Sequence, residues 1–434
     1  MKRIIALVIL CALALAACGV AETEPTEQGD YNVADTYDNE PEETVEPKVP
    51  EPELPETELP GDEHVEVVLM VRGITDEQLA AMVESGEIPA NVTHLNLVFN
   101  EITDVTPLAS LTNLRDLRLG LNQISDITPL RYLTNLEHLN VETSDIAPLA
   151  YLTNLNNLML FGEQIVDIAP LIKLTNLNSL TLRLGEQIID ITPLSYLTNL
   201  ESLGISDTRV ADLSPLANLT NLNNLSLSGT GISDITPLAG FVWLTSLSLM
   251  DIPLTDVSLL ANLTNLNDLN LFRNEVSDIS PLANLTGLEQ LRLWGNQITD
   301  ITPLTNLISL EILLIQDIKI ADISPLSGLI NLRDITLAGV EISDISPLAN
   351  LANLEYLTLS DNLIVDISPL ANLINLKWLS LFQNPITDWS PVVHLENVLG
   401  RPREMGWGDS SFHLVRSNVT NERLAEIVAN GEIS

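Results

Sequence analysis

Leucine and isoleucine recur in a fixed register from residue 95 to residue 392, in a phrase of about 22 residues. One copy runs Leu111-Thr112-Asn113-Leu114-Arg115-Asp116-Leu117-Arg118-Leu119-Gly120-Leu121-Asn122-Gln123-Ile124-Ser125-Asp126-Ile127-Thr128-Pro129-Leu130. Leu117-Arg118-Leu119 alternates with period two, so both leucines share one strand face and Arg118 takes the other. Self-similarity at this period predicts a solenoid of stacked coils. Every coil runs the same way, so neighbouring strands must pair in parallel. Leu108, Leu111, Leu114, Leu117, Leu119, Ile124, Ile127 and Leu130 then fill the space between the sheet and the opposite wall. Each fully buried aliphatic contributes roughly 1.5–3 kcal/mol. Ordering a coil costs a comparable sum, so one coil alone fails and neighbours make the difference.

Pro107, Pro129, Pro148, Pro170, Pro193, Pro215, Pro237, Leu259, Pro281, Pro303, Pro325, Pro347, Pro369 and Pro391 mark fourteen coils. Their spacing is 22 residues, except 19 before Pro148 and 23 before Pro193. A step such as Thr128-Pro129 sets a capping hydroxyl before a proline at a first helical position. Few residues follow, which predicts 3₁₀ turns rather than full helices on the outer wall. Asn122 recurs as Asn100, Asn274, Asn296, Asn362 and Asn384, and a buried asparagine there can serve the backbone of adjacent coils. Glu163, Thr208, Thr230 and Asp251 take the slot elsewhere.

This pattern resembles the leucine-rich repeat family, and within it the internalin-type subclass with its Ile-x-Asp-Ile-x-Pro-Leu signature. The signature stands as Ile124 to Leu130 and as Ile298 to Leu304. The resemblance covers about 300 of the 434 residues. It implies an α/β fold: a right-handed horseshoe solenoid with a concave parallel β-sheet and mainly 3₁₀ turns on the convex side. It also implies recognition of proteins or surfaces rather than catalysis. Members with well-studied host receptors commonly carry an immunoglobulin-like module and wall-anchoring elements. Neither is recognisable here, so host-cell invasion is not carried over.

Thr75-Asp76-Glu77-Gln78 opens a helix over 75–86, with a Thr75/Gln78 capping box and Gly86 as the stop. It belongs to an N-terminal cap, 65–94, with a strand within Val65 to Val71, ahead of the repeats at 95–395. Thr420 to Ile433 nearly copies Thr75 to Ile88, which predicts a C-terminal cap over 396–434 with a helix at 420–430.

The chain begins Met1-Lys2-Arg3, followed by the apolar run Ile4 to Ala17. A basic start and an apolar stretch too short to span a bilayer comfortably read as an export signal. Leu15-Ala16-Ala17-Cys18 resembles the lipobox of bacterial lipoproteins. That implies cleavage of a 1–17 signal peptide, a palmitate-bearing Cys18 and anchoring at the bacterial cell surface. A plain secretory peptide is the alternative. Cys11, the other cysteine, lies in the signal run. Residues 18–64 then form an acidic, Pro/Glu-rich segment, read as a disordered stalk because it cannot bury enough apolar area to order itself. An acidic binding tail is the other reading of it.

Three columns of strand residues point into the groove. The last column contains Met250, Phe272, Trp294 and Gln316, and later Phe382. The middle column supplies Arg292 and Leu314, and the first supplies Ile312, Tyr356 and Trp378. Aromatics clustered with an arginine are what binding hot spots are made of. We therefore expect a concave-face binding site at Met250, Phe272, Trp294, Arg292, Leu314, Ile312 and Gln316. Tyr356, Trp378 and Phe382 are a second candidate patch. The competing reading is scattered surface apolar groups.

The formal net charge is −40. Such a chain repels nucleic acid and anionic head groups and steers basic partners. A protein ligand is expected, with a glycan as the alternative because sugar rings stack on aromatics, and an envelope spacer as a third reading. Asp126, Asp234, Asp278, Asp300, Asp344, Asp366 and Asp388 form a ladder read as turn capping, with divalent-ion binding the lesser reading. The five histidines lack metal-ligand spacing, although His94, Asp116 and His138 share a column. No phosphate loop or nucleophile elbow occurs. No enzyme, metal or cofactor is expected.

Overall fold

A computed structural model describes residues 66–68, 73–393 and 395. The export segment with Cys18, the acidic stalk, and residues 396–434 with the helix expected over 420–430 lie outside the described residues. A strand at Glu66–Val68 pairs in parallel with His94–Asn96 of the first coil. Helix α1, Asp76–Ser85, follows. Thr75 Oγ1 accepts the Gln78 N–H, the Gln78 side chain accepts the Thr75 N–H at 2.9 Å, and Gly86 closes the helix in the left-handed conformation. Leu79, Ile88 and Val92 bury this cap against the first coil.

Fourteen coils then stack in chain order. Their strands, with Glu66–Val68, make one 15-stranded parallel sheet without a crossover. Register advances coil by coil, as in Leu95↔Leu117↔Leu139. Each coil carries one 3₁₀ turn on the opposite wall, from Thr106–Ser110 to Ser390–Val392. In the second coil Leu130 donates to Ile127, Leu133 to Leu130 and Leu136 to Leu133, each over three residues. This chain of i→i−3 bonds brings a leucine inward at every step. The eight aliphatics expected inside are all buried, in one continuous core.

Three polar ladders run along the stack, and two of them join adjacent coils. Asn122 donates through Nδ2 to the carbonyls of Leu97 (2.9 Å) and Leu119 (2.8 Å), while its Oδ1 accepts the Ile102 N–H at 3.1 Å. Asn274, Asn296 and Asn362 repeat this in buried positions. Asp251 does not occupy the slot, contrary to the sequence reading. Asp251 is exposed with φ 56°, and Ile252 is buried there instead. Asp251 takes the left-handed position that Leu121 and Arg273 hold just before Asn122 and Asn274, so the slot one residue later falls to an aliphatic in this coil.

The aspartate ladder caps turns. In all fourteen coils an Asp Oδ1 accepts the backbone N–H two residues on, at 2.7–2.9 Å. The threonine or serine hydroxyl is therefore not the cap. Ser214 Oγ, for one, donates to Asp212 Oδ2 at 2.9 Å. The third ladder was not read from sequence. The asparagine of Leu-Thr-Asn-Leu, as in Asn135 and Asn176, donates to a carbonyl one coil earlier, at Thr112 and Thr153.

Candidate recognition site on the sheet face

The strands of coils 8 to 11 are Ser246–Met250, Asp268–Asn270, Gln290–Arg292 and Ile312–Gln316. Period two buries Leu249, Leu271, Leu293 and Ile315 and leaves Met250, Phe272, Trp294 and Gln316 on the open face. A spacing of about 4.8 Å between parallel strands brings aromatics of adjacent coils into contact. The Phe272 and Trp294 ring centroids lie 4.7 Å apart, tilted by 59°. Trp294 is 40% exposed, whereas Phe272 and Met250 are half-buried.

Immediately after this column the chain turns through the left-handed region. Asp251 (φ 56°), Arg273 (φ 53°), Gly295 (φ 73°) and Asp317 (φ 54°) stand there in successive coils. The turn carries the Asp251, Arg273 and Asp317 side chains to the strand-exit edge, where a cavity of about 630 Å³ opens between Asp251, Phe272, Arg273, Glu275, Trp294 and Asp317. Arg273 Nε lies 3.8 Å from Asp251 Oδ1, and its guanidinium carbon is 5.8 Å from the Phe272 ring centre. Asp317 Oδ2 accepts Trp294 Nε1–H at 3.0 Å and Gln316 Nε2–H at 3.2 Å. Arg273, Glu275 and Asp317 were not singled out from sequence, and Asp251 was read there only as an occupant of the asparagine slot. The available signal was the Gly229, Gly295 and Gly339 series in the same column, which marks a left-handed position.

The expected set divides. Phe272 and Trp294 line the cavity, with Gln316 bonded to its wall. Met250, Leu314, Ile312 and Arg292 pave the adjoining sheet. Arg292 and Leu314 are register partners, as are Gln290 and Ile312. Arg292 is tied down, donating to Asp268 at 2.6 Å and Gln290 at 2.7 Å. Burial raises the pKa of Asp334, one coil beyond Ile312 in the same column, and Arg292 partly offsets this. In the second patch, Tyr356 and Trp378 are register partners, with Tyr356 45% exposed, while Phe382 lies two residues beyond the end of the Trp378–Ser380 strand. Coil 8 departs from the repeat at Trp243 and Leu259. Trp243 replaces the ladder asparagine there, leaving its buried Nε1 without a hydrogen bond, and Leu259 replaces the usual proline.

His94, Asp116 and His138 are register neighbours, but Asp116 is engaged by Arg118 at 3.1 and 3.2 Å. Among the described residues no group of three His, Cys, Asp or Glu side chains could hold a metal ion.

The family described as Leucine Rich repeats (2 copies) matches residues 90–132, 198–240, 264–306, 286–328 and 330–372. Among curated proteins no match was found. Among solved structures, a Leptospira interrogans leucine-rich repeat protein is 22% identical (TM-score 0.60), covering 75% of this chain and 92% of its own, and shares the fold. An internalin C2 from Listeria monocytogenes is 42% identical over 43% of this chain and 83% of its own, with a TM-score of 0.41. An internalin (inlF) from Listeria monocytogenes is 34% identical, covers 74% of this chain and 92% of its own, and superposes with a TM-score of 0.56. That identity extends over nearly the whole of the relative and shares its repeat architecture, so the chain belongs to the internalin-like leucine-rich repeat proteins.

Proposed function

We propose that this protein is a non-enzymatic recognition protein of the bacterial cell surface, anchored through lipid on Cys18, that binds a protein partner on its concave sheet at coils 8 to 11. The observation that carries this reading is the Phe272–Trp294 pair, 4.7 Å apart and standing over a cavity of about 630 Å³. Adjacent aromatic anchors around a recess are the usual form of an interface hot spot. The 59° tilt favours a protein over a glycan, because a sugar ring stacks on one flat platform and these rings form a wedge. Kinship with the Listeria internalin supports a surface role. Tyr356 and Trp378 are the second contact point we propose, with Phe382 at its margin.

The test uses purified chain as bait for surface-protein extracts and on a glycan array, beside the Phe272→Ala/Trp294→Ala double variant. Neither side chain belongs to the continuous core, so the variant should keep the wild-type circular dichroism. A protein held by the wild type and lost by the folded double variant supports the reading. Sugar binding alone favours the glycan alternative. Undiminished capture by the variant refutes the site, and no binding in either assay leaves the spacer role. Cys18→Ser should move the protein from the membrane to the soluble fraction. A variant still in the membrane fraction would overturn the lipid anchor.

A further inference from the structure

The cavity beside the aromatic pair has a chemistry of its own. Its lining includes three carboxylates, Asp251, Glu275 and Asp317, and one guanidinium, Arg273, a formal charge of −2. The apolar wall is the Phe272–Trp294 wedge. Ring faces and carboxylates converging on one recess attract a cation by two routes, the ring quadrupole and the anionic charge. Arg273 already samples both. It is loosely held, with a 3.8 Å contact to Asp251 and a 5.8 Å approach to Phe272, near the outer limits of an ion pair and a cation–π contact. Both ends of the ion pair are more than half exposed. Asp317 accepts two donors through Oδ2 and, as a carboxylate, has capacity for more.

We infer that this cavity receives an arginine side chain of the bound partner, between the Phe272–Trp294 wedge and the carboxylates of Asp251 and Asp317, and that Arg273 is an internal stand-in which the incoming guanidinium displaces. The inference rests on the reading that coils 8 to 11 bind a partner. Arginine suits the site better than lysine because its planar, weakly hydrated guanidinium stacks on a ring while donating sideways to carboxylates. Arg273 competes for those groups, so removing it should strengthen binding. A merely structural ion pair would give the opposite result.

The Trp294 indole N–H donates to Asp317, so its ¹⁵N–¹H resonance reports occupancy of the site. The full chain has five tryptophans, and Trp294→Phe identifies the signal. The probes are acetyl-Gly-Arg-Gly-amide, the lysine tripeptide, and the citrulline tripeptide, a neutral isostere of arginine. The arginine peptide should shift the Trp294 signal saturably, lysine more weakly, and citrulline not at all. Asp317→Asn suits a left-handed backbone and should weaken binding about fivefold, the loss of one exposed charge contact. Arg273→Gly matches Gly295 at the same position in the next coil and should tighten binding about threefold by removing the competitor. Equal shifts with citrulline, no shift with arginine, or weaker binding in Arg273→Gly would each overturn the inference. If partner capture still depends on Phe272 and Trp294 after such a result, only the arginine assignment falls. If capture is also insensitive to them, the proposed site falls with it.

Discussion

Replacing Asn296 with alanine should loosen coils 9 and 10 without unfolding the array. Asn296 is buried and donates to Leu271 O at 2.7 Å and Leu293 O at 2.9 Å, while Val276 N–H donates to its Oδ1 at 3.1 Å. Each buried hydrogen bond contributes a net of about 0.5–1.5 kcal/mol, and a group left unsatisfied costs about 1–3 kcal/mol. Water entering the vacated space can solvate part of the set. An overall loss of about 2–4 kcal/mol follows from three bonds with partial rescue. Solenoid stability is a sum of coil and interface terms, so the loss should stay local. Hydrogen exchange followed by mass spectrometry is the suitable assay, because it resolves local opening. Peptides covering the strands and turns of coils 9 and 10 should lose protection by about 30- to 1,000-fold, at 1.4 kcal/mol per factor of ten. The Val276 amide should change most. Asn306→Ala, at an exposed position, is the control and should stay within about 0.5 kcal/mol. A loss below threefold at Asn296→Ala, or one as large in the control, would refute the ladder as a source of stability.

The aspartate ladder makes stability depend on acid. In Asp126, Asp190, Asp234 and Asp300 the following threonine hydroxyl, then its backbone N–H, lowers the carboxyl pKa. In Asp256, Asp344, Asp366 and Asp388 the serine N–H leads. A lowered folded-state pKa stabilises above the unfolded value of about 3.9 and is lost as pH falls through the folded one. The urea midpoint should therefore drop below about pH 4, and a flat profile down to pH 2 would contradict this. Leu282→Ala, at a fully buried position, should cost about 2–5 kcal/mol by urea denaturation, and under 1 kcal/mol would mean the coil had closed over the cavity. Burial raises Asp334 and Arg292 lowers it, so Arg292→Met should raise the Asp334 pKa further in a ¹³C carboxyl titration. An unchanged or lower value would show that Arg292 does not act on it.

Much of this molecule could be read before any coordinates. A leucine every few residues in a 22-residue phrase admits few other packings, because one coil cannot bury its own apolar face. The Asn122 series was legible because a polar residue amid aliphatics must find backbone partners. Its apparent continuation through Asp251 was one residue out of register: Asp251 stands in the left-handed position before the slot, like Leu121 and Arg273, and Ile252 fills the slot itself. The asparagine of Leu-Thr-Asn-Leu was passed over because it is exposed in burial terms, and only the stacking of coils brings a carbonyl to its amide. Period-two alternation placed Phe272 and Trp294 on the open face. It carried no information about Arg273 or Asp317, which follow the strand and face the edge only because the turn swings them there.

The sequence by itself determined the repeat, the parallel order of the strands, the buried set and the columns of the open face, because periodicity and burial act over a few residues and recur in every coil. The tertiary structure alone decided that Phe272 and Trp294 meet at 4.7 Å, that Arg292 is held by Asp268 and Gln290, and that carboxylates from coils 8 and 11 flank one cavity. Apart from the Arg292–Gln290 bond, those relations join residues about 22 or more positions apart. They depend on rotamers and on the angle of each turn, which no local pattern encodes.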